Sequence, residues 1–332
     1  MPETATIVRI HEFGDASVLR LDTLPLPQPG EGEIRLRVKA IGLNRAEIMV
    51  REGKYLWQPE MPAQIGFEAS GIIEALGAGV DPAWLGKRAN CMPIFSPVRY
   101  GVYGEVAILP MSAMVEFPIR LSFQEGSAIW SQYLTAWGGL VHVGKILRGD
   151  AVLVTAASSS TGVAAIELIK AEGGVSIAVT RKASKRSELL ACGADHVIVS
   201  NEEDVAERVM EITGGKDARI IYDPIGGPGI RVLIAAAAKS AIIIEYGMLS
   251  SEETPLPLFE AFLKYILIKT YDVHEIFEDQ MLLDAARHYI LQRLEDGRFK
   301  PRISKTFPLN DIAEAHRYME ANNQVGKIIV TI

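Results

Sequence analysis

The chain has 332 residues, 48% of them hydrophobic and 23% charged, with a formal net charge of −7 and two cysteines. That length and composition predict a globular protein of about two domains and exclude a disordered or fibrous chain. Cys91 and Cys192 are too few for a disulfide framework or a four-cysteine zinc knot, and the mildly acidic balance offers no basic stripe for nucleic acid.

The N-terminal MPETATIVRI lacks the basic start and apolar run of a secretory signal, so a cytoplasmic chain is expected. Up to about residue 125, short alternating apolar runs at 34–38 and 105–109 are interrupted by PLPQPGEGE at 25–33, ALGAGVDP at 75–82 and CMPIFSP at 91–97. This punctuation predicts short, mostly antiparallel strands with one helix over 45–52. The uncharged stretch 126–144 contains Ser127, Ser131, Gln132, Thr135 and His142, which reads as a buried helix of the protein and not as a membrane span.

From 127 to 271 the rhythm changes. Apolar strands are expected at 152–156, 176–180, 197–199, 219–223, 241–247 and 267–271, with helices at 161–171, 185–192, 203–213 and 229–238. Such alternation predicts an α/β fold with a doubly wound parallel sheet of the Rossmann kind. The tail, 272–332, is expected to hold an amphipathic helix at 280–296 and to end in the apolar strand GKIIVTI, rejoining the first half. The predicted organisation is a β-rich domain of 1–126 and 272–332 interrupted by a cofactor domain of 127–271.

The first strand of that domain runs into Ala157-Ser158-Ser159-Ser160-Thr161-Gly162 and then a helix. Small residues at a strand–turn–helix junction let the backbone approach a pyrophosphate while the helix N-terminus offers free N–H groups. Ala157 and Ser159 stand at the first two glycine positions of G-x-G-x-x-G, so a Ser-rich helix cap with no ligand is equally compatible with this segment. About 20 residues on, where an NAD site carries a carboxylate, the chain reads Thr180-Arg181-Lys182 with Lys185 and Arg186 following. That basic cluster suits the 2′-phosphate of NADP(H), the alternative being a solvated basic loop.

Other motifs fail. The sequence at 139–145 matches G-x-x-x-x-G-K, but Ile146 replaces the required Ser or Thr; the six histidines have no metal-ligand spacing, and no G-x-S-x-G occurs.

The order of segments resembles the zinc-independent quinone oxidoreductase branch of the medium-chain dehydrogenase/reductase superfamily, over essentially the whole chain. The resemblance rests on AIGLNRAEIMVREGKY, IGFEASGIIEALGAGV, Tyr103-Gly-Glu105, Leu134-Thr135-Ala136, AASSSTGVAAIELIKAEG and Gly193-Ala-Asp195 leading to Tyr222-Asp223. It implies a GroES-like catalytic domain joined to the Rossmann domain. It also implies hydride transfer from NADPH to a quinone or to the activated C=C bond of an α,β-unsaturated carbonyl compound. Asn44 stands where zinc-dependent relatives carry a Cys ligand and Phe67 where they carry a His ligand, so no metal is expected.

By the same resemblance Asn44 and Tyr55 line the pocket, Tyr55 as proton donor or oxyanion partner and Asn44 as positioning amide. Thr135 contacts the carboxamide end of the cofactor. Asp223-Pro224 with Gly226-Gly227, and Tyr246-Gly247-Met248, end successive strands where a doubly wound sheet binds ligand, so those two loops are expected to flank the nicotinamide. Ala46, Met49, Trp57 and Trp130 are expected in the pocket walls, with Phe95, Tyr100 and Tyr133 as further aromatics. The strand at 241–245 is a candidate for pairing in a homodimer, and no membrane or nucleic-acid partner is expected. A specialised biosynthetic enoyl reductase and an NADPH-binding protein with little catalysis are the competing readings.

Overall fold

Short apolar and β-branched runs become strands wherever one face, or both, can be buried, and a computed structural model, which describes residues 3–332, contains sixteen strands among those residues. The chain divides into two units: unit 1 is the chain through Ser131 together with Pro301–Ile332, and unit 2 is Gln132–Lys300.

Unit 1 contains β1 (Thr4–Ile10), β2 (Leu19–Pro25), β3 (Glu33–Gly42), β4 (Ala63–Gln64), β5 (Ala69–Leu76), β6 (Arg88–Cys91), β7 (Val106–Pro110) and β8 (Met114–Val115). It is completed by β15 (Ile303–Pro308) and β16 (Lys327–Thr331), with helices α1 (Arg45–Arg51), α2 (Phe123–Gly126) and α11 (Ile312–Glu320). One sheet runs β2-β1-β4; the other runs β15-β16-β3-β5-β6-β8, with β7 also on β3. The apolar tail strand does return here, since β16 lies antiparallel to β3 with Ile329 opposite Gly42. Leu36, Val38, Ile41, Ile73, Leu109 and Val330 close the core with no exposed surface.

Unit 2 is built on a six-stranded parallel sheet in the order β11-β10-β9-β12-β13-β14. The strands are β9 (Ala151–Val154), β10 (Val175–Thr180), β11 (His196–Val199), β12 (Ala218–Asp223), β13 (Ala237–Glu245) and β14 (Leu267–Thr270). The helices associated with it are α3 (Trp130–Trp137), α4 (Ser160–Ala171), α5 (Arg186–Ala191), α6 (Val205–Thr213), α7 (Ile230–Ala236), α8 (Leu258–Lys264), α9 (His274–Phe277) and α10 (Gln280–Glu295). Strand β9 is central and β10, β12 and β13 are also paired on both sides, so their apolar runs are nearly continuous.

Three expectations are corrected. The domain boundaries fall at 131/132 and 300/301, not at 126/127 and 271/272. The reason is that α10 packs in unit 2: Tyr289 Oη donates to Glu172 at 2.5 Å, Arg293 reaches the same carboxylate at 3.0 Å, and Phe299 stacks on Tyr133 at 4.5 Å. The stretch 126–144 is not one helix, because α3 gives way to a wider π-helical turn at Gly138–Val143, where a Cβ on Gly138 would strike Tyr271 and one on Gly139 would strike Tyr222. Finally, 241–245 lies inside β13, which is paired with both β12 and β14, so it cannot be the strand that meets another chain. Among the described residues no helix is long and apolar enough to cross a membrane.

Candidate functional site

In unit 2 the predicted phosphate turn follows β9 directly. The left-handed backbone that a glycine would favour falls on Ala156, with φ of 43°, one residue before the position matched to the first glycine. Ala157 is fully buried, while Ser158, Ser159, Ser160 and Thr161 are half-buried. Ser159 is the N-cap of α4, and its Oγ accepts the Gly162 N–H at 3.0 Å. Gly162 is required by contact, since a Cβ there would lie 2.6 Å from the Ala157 carbonyl oxygen. This close approach brings the first turn of α4 onto the strand end, where a helix N-terminus can receive a phosphate.

The basic cluster after β10 separates into different roles. Arg181 and Lys182 are exposed at the end of the strand, beyond the buried Thr180. Lys185 folds inward, its Nζ donating to Ser158 Oγ at 2.8 Å. Burial first, then the neighbouring Lys182 and Arg181, push its ammonium down to about 8. Arg186 is a structural cation, bound to the Val197 carbonyl at 2.7 Å and to Glu203 at 2.5 Å.

A cavity of about 320 Å³ opens at the carboxyl ends of β9 to β12, lined by Thr155, Val179, Ser200, Glu203, Asp223 and Ile225, among others. This is where doubly wound sheets bind ligands. Thr155 Oγ1 donates to Asp223, whose other oxygen accepts the N–H groups of Ile225 at 3.1 Å and Gly226 at 2.7 Å. Glu245 is the β-ladder neighbour of Asp223, and burial together with that carboxylate's charge pushes Glu245 up to about 8. Tyr246 stacks on Tyr222 at 3.9 Å, Tyr222 donates to the Thr135 carbonyl at 3.0 Å, and Gly247 lies against Pro224, where a Cβ would come within 2.8 Å of backbone oxygen.

In unit 1 the predicted acceptor residues cluster around α1. Tyr55 is edge-on to the partly exposed Trp57 at 5.5 Å and tilted against Phe67 at 5.9 Å, and Ala46 and Met49 are half-buried on the helix. Asn44 is more constrained than expected. Its Nδ2 donates to the Gly42 carbonyl at 3.1 Å and to Glu47 Oε1 at 3.3 Å, while its Oδ1 accepts from Lys327 at 2.7 Å. Both ends of the amide are therefore occupied within the protein.

Trp130 is not a pocket wall: it is fully buried and its indole N–H donates to Asn90 at 2.8 Å. Tyr133 and Phe95 are likewise interior, Tyr133 donating to Glu167 at 2.6 Å. Cys91 is enclosed beside this region, its Sγ accepting the Ala69 N–H at 3.2 Å, and burial pushes the thiol up to about 12.

The sequence reading missed a buried polar chain beneath Asn44. Glu47 accepts from the Asn44 and Phe67 backbone N–H groups at 2.7 and 2.9 Å and from Tyr103 Oη at 2.6 Å. His316 adjoins Tyr103 through Nε2 at 3.0 Å and Arg51 through Nδ1 at 3.1 Å, and burial followed by Arg51 pushes it down to about 3, so it stays neutral. Lys327 also binds Glu68 at 2.7 Å. The only available signal was Lys327 itself, a lone charge in an otherwise apolar strand.

Two families match the chain: "Alcohol dehydrogenase GroES-like domain" over residues 30–119 and "Zinc-binding dehydrogenase" over 192–330. A solved NAD-dependent alcohol dehydrogenase is 30% identical, with a TM-score of 0.90 over 98% of this chain and 99% of that one. The Escherichia coli quinone oxidoreductase, solved in complex with NADPH, is 26% identical with a TM-score of 0.90 over 98% and 100% of the two chains. The synaptic vesicle membrane protein VAT-1 homolog of Danio rerio is 29% identical over 92% of this chain, which spans 65% of that protein's length. Despite the second family's description, the residues here do not fit zinc. Phe67 offers no donor atom, Asn44 is occupied, and among the described residues no three His, Cys, Asp or Glu side chains gather where they could hold a metal ion.

The Gly162→Ala substitution is expected to cost about 1–3 kcal/mol of stability by overpacking against Ala157. It should also weaken dinucleotide binding, measured by thermal unfolding and cofactor fluorescence; unchanged values in both would show that the turn relaxes without consequence.

Proposed function

The chain belongs to the medium-chain dehydrogenase/reductase superfamily, and from that premise we propose that it is an NADPH-dependent reductase of quinones or of activated C=C bonds, working without zinc. The observation that carries the reading is the cationic pair Arg181 and Lys185, with Lys185 held against Ser158 of the phosphate turn and no carboxylate in the segment that ends β10.

In this reading the 2′-phosphate lies among Arg181, Lys182 and Lys185, the pyrophosphate at the first turn of α4, and the adenine end in the part of the cavity lined by Ser200 and Val205. Thr135 and Tyr246-Gly247 hold the nicotinamide end. Bound NADPH supplies the hydride. Negative charge then develops on the acceptor oxygen, and a hydrogen-bond donor is enough to stabilise it. Tyr55 is that donor, with Trp57 offering an aromatic edge to a flat acceptor. Asn44, its amide occupied internally, shapes the loop and does not itself donate to the acceptor. The VAT-1 relative, whose name states no reaction, keeps a weakly catalytic NADPH-binding protein as the second reading.

The first test is consumption of NADPH with a panel of quinones, 2-alkenals and cyclic enones; tight NADPH binding with no turnover on any acceptor favours the second reading. For the cofactor, Arg181→Ala with Lys185→Ala removes charge-assisted contacts of about 1.5–3 kcal/mol each. NADPH affinity should fall by roughly 100-fold or more while NADH affinity changes little. Equal losses would show that this loop does not read the 2′-phosphate. Because Lys185 is charged only below about 8, the preference for NADPH should be full under neutral conditions and decline as pH rises through that value. A flat profile would remove Lys185 from the site.

The homodimer reading moves from the internal strand β13 to the edge strand β14 of unit 2. Strand β14 is an outer strand, and Leu258, Phe259, Phe262, Leu263, Tyr265 and Leu267 beside it are exposed, which suits a second copy of the chain. Sedimentation should give a dimer that Phe259→Asp with Phe262→Asp converts to monomer, whereas a monomeric parent at micromolar concentration removes the dimer from the reading.

A further inference from the structure

Lys327, the first residue of β16, is fully buried, and so is its ion-pair partner Glu68. The ammonium lies 2.7 Å from Glu68 Oε2 and 2.7 Å from Asn44 Oδ1. Glu68 uses its other oxygen to accept the backbone N–H groups of Ile129 at 3.0 Å, Trp130 at 2.6 Å and Ser131 at 3.3 Å, the open end of α3. The lysine stem crosses Gly42, where a Cβ would sit 2.7 Å from Lys327 Cε and 1.9 Å from the Ser127 carbonyl oxygen. Any side chain at 42 would push the lysine away.

We propose that Lys327 is a positioning residue for the acceptor side of the reaction, holding the Asn44 amide in one orientation and, through it, the loop that leads into α1. The inference rests on the reductase reading above. A buried ion pair is weak evidence for stability, since apolar residues of the same shape often replace one without loss, whereas removing a single partner leaves a costly uncompensated charge. What the pair supplies here is direction. An ammonium has donors only, so it donates to the carbonyl oxygen of Asn44 and rejects the flipped amide. With Oδ1 fixed, Nδ2 faces Gly42 and Glu47, and Glu47 in turn holds the backbone of Phe67, whose ring packs against Tyr55. A displacement of about 1 Å in such a support is enough to cost up to roughly 100-fold in rate.

Lys327→Met alone strands the Glu68 charge, so the informative variant is Lys327→Met with Glu68→Gln, compared with Lys327→Arg and Asn44→Ala. The double variant and Asn44→Ala should keep NADPH affinity within about 2-fold while kcat/KM for the acceptor falls ~10- to 100-fold, and Lys327→Arg should recover most of it. The Asn44 side-chain amide proton pair, followed by NMR in protein labelled at asparagine and assigned by its loss in Asn44→Ala, should be slow to exchange with solvent in the parent and fast in the double variant.

A folded double variant that keeps the acceptor kinetics and the protected amide overturns the proposal. If the double variant does not fold, Asn44→Ala decides, and unchanged acceptor kinetics there overturn it equally. A parent that turns over no acceptor fails the reductase reading instead, and the amide exchange then decides the role of Lys327 by itself.

Discussion

The contact between Gly162 and the Ala157 backbone is the constraint on which the cofactor half of this protein depends. A helix can point its N-terminus at the end of a parallel strand only if the first turn comes close, and here the missing Cβ permits that approach. Around that contact stand the other parts of the candidate nucleotide site in unit 2: Ser159 capping α4, Ser158 within reach of Lys185, and Thr155 bonded to Asp223. One glycine suffices because Ala156 takes the left-handed turn and the serines are small enough to leave the approach open.

That architecture was largely legible in the sequence because it is written locally. Strands such as Val175–Thr180 and helices such as Ser160–Ala171 follow from apolar runs and their punctuation, and their ends deviate from expectation by only a residue or two. What was not legible depends on partners far along the chain. The amphipathic pattern of Gln280–Glu295 says that one face is buried, not against which unit, and Glu172 decides that more than a hundred residues earlier. Aromatic residues posed the same difficulty. Trp130 and Trp57 look alike in sequence, yet one is locked to Asn90 in the interior while the other remains partly exposed beside Tyr55.

The acceptor side differs in kind. Its order comes from buried polar groups, Glu47, Glu68, Arg51, His316 and Lys327, contributed by segments at opposite ends of the chain. Motif comparison places Asn44 correctly on a loop before α1 but assigns it a role by type. Both ends of its amide are held within the protein, and the proposed reading therefore gives the chemical role to Tyr55 and the supporting role to Lys327. Around positions 44 and 67 a lysine-centred network of hydrogen bonds organises the region.

The sealed thiol of Cys91 acquires a meaning from the proposed chemistry. Quinones and conjugated enones are electrophiles that alkylate thiolates, and Cys91 lies beside Phe67, which packs on Tyr55. Burial keeps its sulfur protonated and out of reach, and a protonated thiol is a poor nucleophile. In the proposed reading, reactive acceptors can be handled repeatedly without alkylation at Cys91, whose protection is set by packing alone.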